Sequence, residues 1–117
     1  MTDYIVVLVT CGNAREARRI AQAVVERRLA ACVNVLDTPV TSVFRWKGKV
    51  QRARETLLLL KSSKKRLAAL RTAILQLHSD HVPELIALPI AAGSPAYLRW
   101  LCDCLRAPGR TRPRKKK

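Results

Sequence analysis

The sequence predicts one α+β domain with the element order β-α-β-β-α-β and a short terminal helix. Two observations support this prediction. Short aliphatic and β-branched runs alternate with two segments in which apolar residues recur every three or four positions. A tight turn, Lys47-Gly48-Lys49, separates two extended runs and indicates a hairpin. Two βαβ halves joined by a hairpin are typical of the ferredoxin-like split βαβ sandwich.

The N-terminal segment predicts a strand followed by a helix. Tyr4–Thr10 is nearly all β-branched or apolar, as expected for a buried strand. Asn13 and Glu16 then have the spacing of a capping box, which indicates a helix start. One side of this helix is apolar, as in a helix that lies on a sheet. That side carries Ala17, Ile20, Ala21, Val24, Val25 and Leu29.

The middle of the chain predicts a long hairpin. A second strand runs from Cys32 to Leu36, is interrupted at Asp37–Pro39 and resumes to Trp46. The returning arm ends in another buried strand, Thr56–Leu60. Hairpin arms of about ten residues span roughly 33 Å. They would outrun a small sheet, so we expect another surface to cover them.

The C-terminal part predicts a helix, a strand and a last helix. Ser62 or Ser63 is expected to cap the second helix. Its inner side carries Leu67, Leu70, Ile74 and Leu77. The strand Glu84–Ile90 has no polar face, which predicts burial on both sides or a subunit contact. A short third helix should begin with Ser94 as N-cap and Pro95 in its first turn.

Charge is unevenly distributed along the chain. The net charge is +15, and residues 106–117 carry seven basic side chains and no acid. This leaves +8 on residues 1–105, the predicted folded domain. The remaining segment, residues 106–117, is predicted to be a disordered basic tail because it has little apolar content with which to fold. We expect non-specific, salt-sensitive contact of this tail with polyanions.

The composition predicts a cytoplasmic protein without a membrane segment. No apolar run approaches the roughly 18 residues that a bilayer span requires. Residues 1–4 lack the basic start of a signal peptide. The four cysteines are therefore expected to be reduced thiols, with Cys32 packed in the core.

Four motifs occur in an order that matches a known family. They are Leu29-Ala-Ala-Cys-Val-Asn-Val35, Thr41-Ser-Val-Phe-Arg-Trp-Lys-Gly-Lys49, Val82-Pro-Glu-Leu-Ile-Ala-Leu-Pro-Ile90 and Gly93-Ser-Pro-Ala-Tyr-Leu-Arg-Trp100. With them the chain resembles the CutA-type divalent-cation tolerance proteins from about Ile5 to Leu101. The resemblance implies a homotrimer that binds divalent cations, copper foremost, in metal-ion tolerance.

The candidate metal ligands are Cys11, His78 and His81, since imidazole and thiolate suit Cu²⁺ and Zn²⁺. Asp80 and Glu84 could complete such a site. In the family the loop usually reads His-Pro-Tyr-Glu-Val-Pro-Glu, and here Ser-Asp-His replaces Pro-Tyr-Glu. Some copper-binding relatives use three ligands, and the resemblance places the matching positions at Val9, Leu77 and His78. Of these three residues only His78 can ligate a metal. The alternative is that His78 ends a helix and His81 lies in solvent.

A second functional hypothesis is a PII-like sensor that binds a small anionic ligand between subunits. The resemblance implies that the cleft is lined by Arg45, Trp46, Lys61, Glu84, Tyr97 and Trp100. Fixed cations, one carboxylate and aromatic walls suit such a ligand. The alternative for the tryptophans is that they anchor a subunit interface.

Two further functional classes have less support. The hairpin is basic, more so than in many relatives, but the sequence has no ribonucleoprotein-type motif. It also has no Walker motif and no Gly-x-Ser-x-Gly elbow. We therefore expect a binding protein and not an enzyme.

Overall fold

The structure, a computed structural model, describes residues 2–106. Except for Arg106, the predicted tail lies outside the described residues. A 3₁₀ turn, Lys64–Arg66, precedes the second helix. The strands and helices are β1 (Tyr4–Cys11), α1 (Ala14–Glu26), β2 (Cys32–Val35), β3 (Val40–Trp46), β4 (Lys49–Ser63), α2 (Leu67–Leu77), β5 (Leu85–Pro89) and α3 (Pro95–Cys104).

The strands form an antiparallel sheet of order β2-β4-β1-β5. β3 pairs only with the N-terminal part of β4, so β2 and β3 are the two halves of the interrupted second strand. Both crossovers, through α1 and α2, skip one strand position. This is the predicted ferredoxin-like split βαβ sandwich. None of the helices within residues 2–106 is both long and apolar enough to cross a membrane.

The core lies between the two long helices and one face of the sheet. Val7 and Val9 of β1 pair with Leu60 and Leu58 of β4, and these four side chains are fully buried. The other buried apolar residues of this cluster are Ile5, Cys11, Ala17, Ile20, Val24, Ala30, Leu70, Ala73 and Ile74. The alternation of buried and partly buried residues along β1 and β4 follows from the twofold period of a strand.

The prediction of the apolar side of α1 is confirmed for the centre of the helix and wrong for its C-terminal end. α1 ends at Glu26, and Arg28 takes a positive φ of 59°, so Leu29 belongs to the connection to β2. Val25 is exposed, while Leu29 packs against the core from the connection. The helix ends early because the backbone has to turn there toward β2.

The predicted serine cap at the second helix is confirmed in position only. Ser62 and Ser63 still belong to β4, where they pair with Ile5 and Tyr4. The Ser62 hydroxyl donates a hydrogen bond to the Leu29 carbonyl, at 2.6 Å. Ser63 is the N-cap residue of the 3₁₀ turn that leads into α2, but its side chain makes no capping bond, and neither does the N-cap residue of α2 itself. The position of Ser63 is therefore as predicted, while the capping bond is absent.

The second face of the sheet is apolar and only partly covered. The α3 helix packs on its β2 end, where the Tyr97 hydroxyl lies 4.0 Å from Cys32 Sγ. Cys32 therefore lies under α3 and not in the main core. Away from α3, Ile86 and Leu88 of β5 remain 48% and 47% exposed. The predicted burial of β5 on both sides is therefore not reached within one chain: Leu85 and Ala87 are partly buried against the core, and the other side is exposed.

The hairpin is longer than the sheet that carries it. Lys47 and Gly48 form its two-residue turn, with φ of 50° and 79°, as type I′ turns require. The ladder runs from Trp46↔Lys49 to Val40↔Glu55, and β1 joins β4 only from Thr56 onward. Residues 40–55 therefore project from the domain as a two-stranded ribbon.

Candidate metal centre

Three buried side chains that can ligate a metal converge where three elements end. Cys11 ends β1, Glu16 lies in the first turn of α1, and His78 follows the last residue of α2. Each residue offers one ligand atom, and the three atoms lie within 4.8 Å of one another. They are a sulfur, a carboxylate oxygen and a ring nitrogen. The first and third of these residues are ligands that the sequence predicted.

Glu16 is the member for which the sequence predicted another role. As expected, Asn13 Oδ1 accepts a hydrogen bond from the Glu16 backbone N–H, at 2.8 Å. The carboxylate turns away from the cap and accepts bonds from the Ser79 N–H, at 2.7 Å, and the Ser79 hydroxyl, at 2.9 Å. Glu16 therefore ties the start of α1 to the loop after α2. No local pattern indicates this contact, because 63 residues separate its partners.

His78 uses both ring nitrogens. Nε2 lies 2.7 Å from the Thr10 carbonyl oxygen, which can only accept, so Nε2 carries the proton of this bond. Nδ1 accepts the Asp80 backbone N–H at 3.0 Å and lies 3.6 Å from Glu16 Oε2. The hydrogen bonds thus assign the Nε2–H tautomer and aim the Nδ1 lone pair at the loop. A metal ion at Nδ1 would take the place of the Asp80 N–H.

Cys11 is fully buried beside these groups. Burial raises the pKa of the Cys11 thiol to about 12, and the nearby negative charges of Glu16 and Asp80 act in the same direction. Cys11 is therefore a neutral thiol near pH 7. Binding of a cation would have to displace its proton.

Alkylation kinetics should report this environment. Relative to the ordinary thiol value of 9.0, a pKa of about 12 means roughly a thousandfold less thiolate at pH 8. We expect iodoacetamide to modify Cys11 in the native protein at least a hundredfold more slowly than in denaturant. Peptide mass spectrometry after a timed quench measures each cysteine separately, and the partly exposed Cys102 is the internal control. Equal Cys11 rates in the two conditions would contradict the buried thiol.

The third predicted ligand lies apart from the cluster. His81 is exposed in the loop before β5, as are Asp80 and Glu84. Within the described residues, Cys11, Glu16 and His78 are the group that fits one ion. Val9 and Leu77, which the resemblance matched to copper-ligand positions, are apolar, and Val9 is fully buried in the core.

Three of the six predicted cleft residues lie at one end of the sheet. Lys61 pairs with Cys32 of β2 and with Val6 of β1, and its ammonium group bonds to Asn34 Oδ1. Tyr97 contacts Cys32, and its ring centroid lies 5.4 Å from that of Trp100. A cation and two aromatic rings therefore flank the α3 end of the sheet.

The other three cleft residues lie elsewhere in the chain. Arg45 and Trp46 flank the hairpin turn, and at strand rise Lys49 and Lys61 are about 40 Å apart along β4. Glu84 precedes Leu85, which pairs with Val9 near the other end of β1. One chain therefore does not assemble the six residues, and a common cleft requires more than one copy.

Comparison with known proteins places this fold in a family. The model of a family described as CutA1 divalent ion tolerance protein matches residues 5–104. The divalent-cation tolerance protein CutA of Thermus thermophilus is 47% identical over 96 residues, which cover 82% of this chain and 92% of that protein. Mouse Protein CutA is 44% identical over 93 residues, or 80% of this chain. The chain spans only 52% of the length of the mouse protein.

Solved structures show the same relationship. The divalent cation tolerance protein from Thermus thermophilus superposes with a TM-score of 0.82 at 46% identity, covering 84% of this chain and 94% of that one. CutA1 from Oryza sativa superposes with a TM-score of 0.85 at 42% identity, covering 88% and 94%. Sequence, fold and element order agree, and the chain belongs to the CutA1 divalent ion tolerance protein family.

Proposed function

We propose that this protein binds divalent transition-metal ions, copper foremost, in metal-ion tolerance, and that it acts as a homotrimer. The observation that carries the proposal is the convergence of Cys11, Glu16 and His78 within 4.8 Å, in a chain of a divalent ion tolerance family. We further propose a binding role without catalysis and a cytoplasmic location. Within the described residues the four cysteines form no disulfide, which supports that location.

The ligand set suits borderline-soft ions. Thiolate and imidazole favour Cu²⁺ and Zn²⁺ over Mg²⁺ or Ca²⁺, and a carboxylate can complete the set. Binding requires that His78 Nδ1 give up the Asp80 N–H and that Glu16 release Ser79. Both partners belong to the exposed loop after α2. Opening of this loop is therefore the entry path of the proposed site.

Metal titration with two histidine variants tests the site. Native mass spectrometry should show one Cu²⁺ or Zn²⁺ per chain for the parent protein. We expect His78→Ala to lower the metal affinity at least a hundredfold, because it removes a buried ligand. The matched control His81→Ala removes the exposed histidine three residues away and should bind within threefold of the parent.

Two results would count against this site. One is uptake that survives both His78→Ala and Cys11→Ala, and the other is uptake that depends on His81. The pH dependence gives an independent check, since binding at Cys11 releases its thiol proton. With one proton released, affinity should rise about tenfold per pH unit between pH 6 and 8.

The proposed homotrimer rests on the surfaces that one chain leaves open. Part of the sheet's second face, around Ile86 and Leu88, is apolar and uncovered, and the ribbon of residues 40–55 extends beyond the sheet. Small domains gain buried surface by association. A neighbouring copy of the chain would cover both surfaces.

A second candidate function is binding of a small anion in a PII-like cleft between subunits. The placement of Lys61 beside the Tyr97–Trp100 ring pair favours it. In a trimer, Arg45 or Glu84 of another copy could complete this site. Binding of this kind should depend on Lys61 and survive a chelator. This candidate would be favoured if the metal titration above showed no stoichiometric uptake.

A further inference from the structure

The ribbon of residues 40–55 sorts its side chains onto two unlike faces. Directly paired residues of antiparallel strands share a face, and successive residues alternate. Arg45↔Val50, Val43↔Arg52 and Thr41↔Arg54 lie on one face. Phe44, Trp46, Lys49, Gln51, Ser42, Ala53, Val40 and Glu55 lie on the other. We call the first the arginine face and the second the aromatic face.

The arginine face is a dense and uncompensated positive surface. Arg45, Arg52 and Arg54 are all exposed. Residues 38–54 contain no Asp or Glu, and Glu55 lies on the aromatic face. Among residues 2–106 the close contacts between a carboxylate and a basic side chain are Glu16 with the neutral His78 ring and Asp103 with Arg106. Neither contact involves these three guanidinium groups.

The arginines are spaced for a polymer of anions and not for one small ion. Arg52 and Arg54 are two residues apart on one strand, about 6.8 Å. Arg45 faces Val50 and is therefore a diagonal neighbour of Arg52, about 7–8 Å away. Guanidinium groups bind phosphate oxygens bidentately. The three groups can thus contact separate phosphates.

We propose that the arginine face of this ribbon binds the phosphate backbone of double-stranded DNA. The ribbon has seven residue pairs and a length of roughly 20 Å. The major groove of B-form DNA, about 12 Å wide, admits a two-stranded ribbon of this kind. The contacts are to phosphates, so the binding is independent of sequence and sensitive to salt.

The preference for DNA over a membrane surface depends on what covers the aromatic face. An element that lies in a membrane interface buries its aromatic face in the lipid and keeps its cations on the other face. Here Phe44 and Trp46 lie on the opposite face from the three arginines, so a ribbon whose aromatic face packs on a neighbouring copy of the chain keeps no aromatic anchor for lipid. Such a ribbon still presents its arginine face to a nucleic acid.

Fluorescence anisotropy with a labelled duplex of mixed sequence, about two helical turns long, tests the proposal in the full-length protein. R52Q/R54Q should weaken binding about tenfold at roughly 0.1 M NaCl. It should also lower the slope of log affinity against log salt by about 2 per bound copy, since two phosphate contacts are lost. R52K/R54K keeps both charges at the same positions and should retain most of the affinity and the slope.

The matched control is R15Q/R18Q, which removes the same charge from the exposed side of α1. It should change affinity less than twofold. Equal losses in both double variants, or no loss in R52Q/R54Q, would overturn the proposal.

The same comparison in a chain that ends at Arg106 separates the ribbon from the tail. There, R52Q/R54Q should still weaken binding, and a truncated parent that no longer binds the duplex would refute the assignment.

Vesicles of phosphatidylserine and phosphatidylcholine distinguish a membrane partner. Vesicle binding that needs Arg52 and Arg54, together with unchanged duplex binding in R52Q/R54Q, would replace the DNA proposal with a lipid one. Native mass spectrometry of each variant checks that its assembly equals that of the parent. The readouts are independent of metal uptake, so this proposal and the proposed function can fail separately.

Discussion

An Ile86→Lys variant should be a dissociated chain at concentrations where the parent protein forms the proposed trimer. Ile86 lies in the middle of β5 on the open face of the sheet, opposite Leu8, and is 48% exposed in the single chain. If a second copy covers this face, each Lys would be buried against apolar side chains. Burying an unpaired charge costs several kcal/mol per subunit, and this cost directly opposes association.

Light scattering and native mass spectrometry measure this assembly directly. The matched control is Leu75→Lys on α2, because Leu75 is 41% exposed but faces away from the sheet. This control should assemble like the parent. The melting temperature of the parent should also rise with protein concentration, since association stabilises the folded chain. A trimeric Ile86→Lys variant would show that the open face is not the contact. A parent melting temperature that is constant over a hundredfold dilution would contradict an obligate trimer.

A Leu70→Ala substitution should lower the free energy of unfolding by about 2–5 kcal/mol. Leu70 is fully buried on the inner side of α2, where it packs in the main core against the sheet. The substitution removes apolar surface and leaves a cavity among rigid neighbours. Chemical denaturation followed by circular dichroism at one fixed protein concentration measures the difference.

Leu75→Ala on the same helix is the control for that measurement. It removes the same atoms from an exposed position, and alanine favours the helix, so the cost should stay below about 1 kcal/mol. Similar losses for the two variants would mean that Leu75 is covered in the assembled protein. That result would move the subunit contact from the open sheet face to α2.

The proposed metal site differs from an exposed site in how it has to open. Its three ligands are buried, the His78 ring nitrogens are hydrogen-bonded, and the Cys11 thiol has a raised pKa. Each feature has to be overcome when a metal binds and therefore lowers the metal affinity. The exposed loop that carries Ser79 and Asp80 is the part that can give way. Metal affinity should therefore depend on this loop as well as on the ligands.

Local pattern was enough to predict most of the elements. The apolar spacing of α2 placed Leu70 and Ile74 inward, and Pro95 opened α3, as expected. The turn at Lys47-Gly48 followed from turn chemistry, because glycine readily takes the positive φ found there. These features depend on residues within a few positions of one another. The predicted serine capping bond is absent, although Ser63 stands at the predicted position.

The order of elements, the split βαβ fold, the family, and two of the three residues at the candidate metal site could all be predicted from the amino-acid pattern. That Glu16 joins Cys11 and His78, and that His81 stays apart from them, is visible only in the folded chain. The same holds for the shared face of Arg45, Arg52 and Arg54, which follows from the register of the ribbon. One cause explains all three cases. Spacing along the chain specifies local backbone geometry, whereas contacts between distant residues depend on how the elements pack.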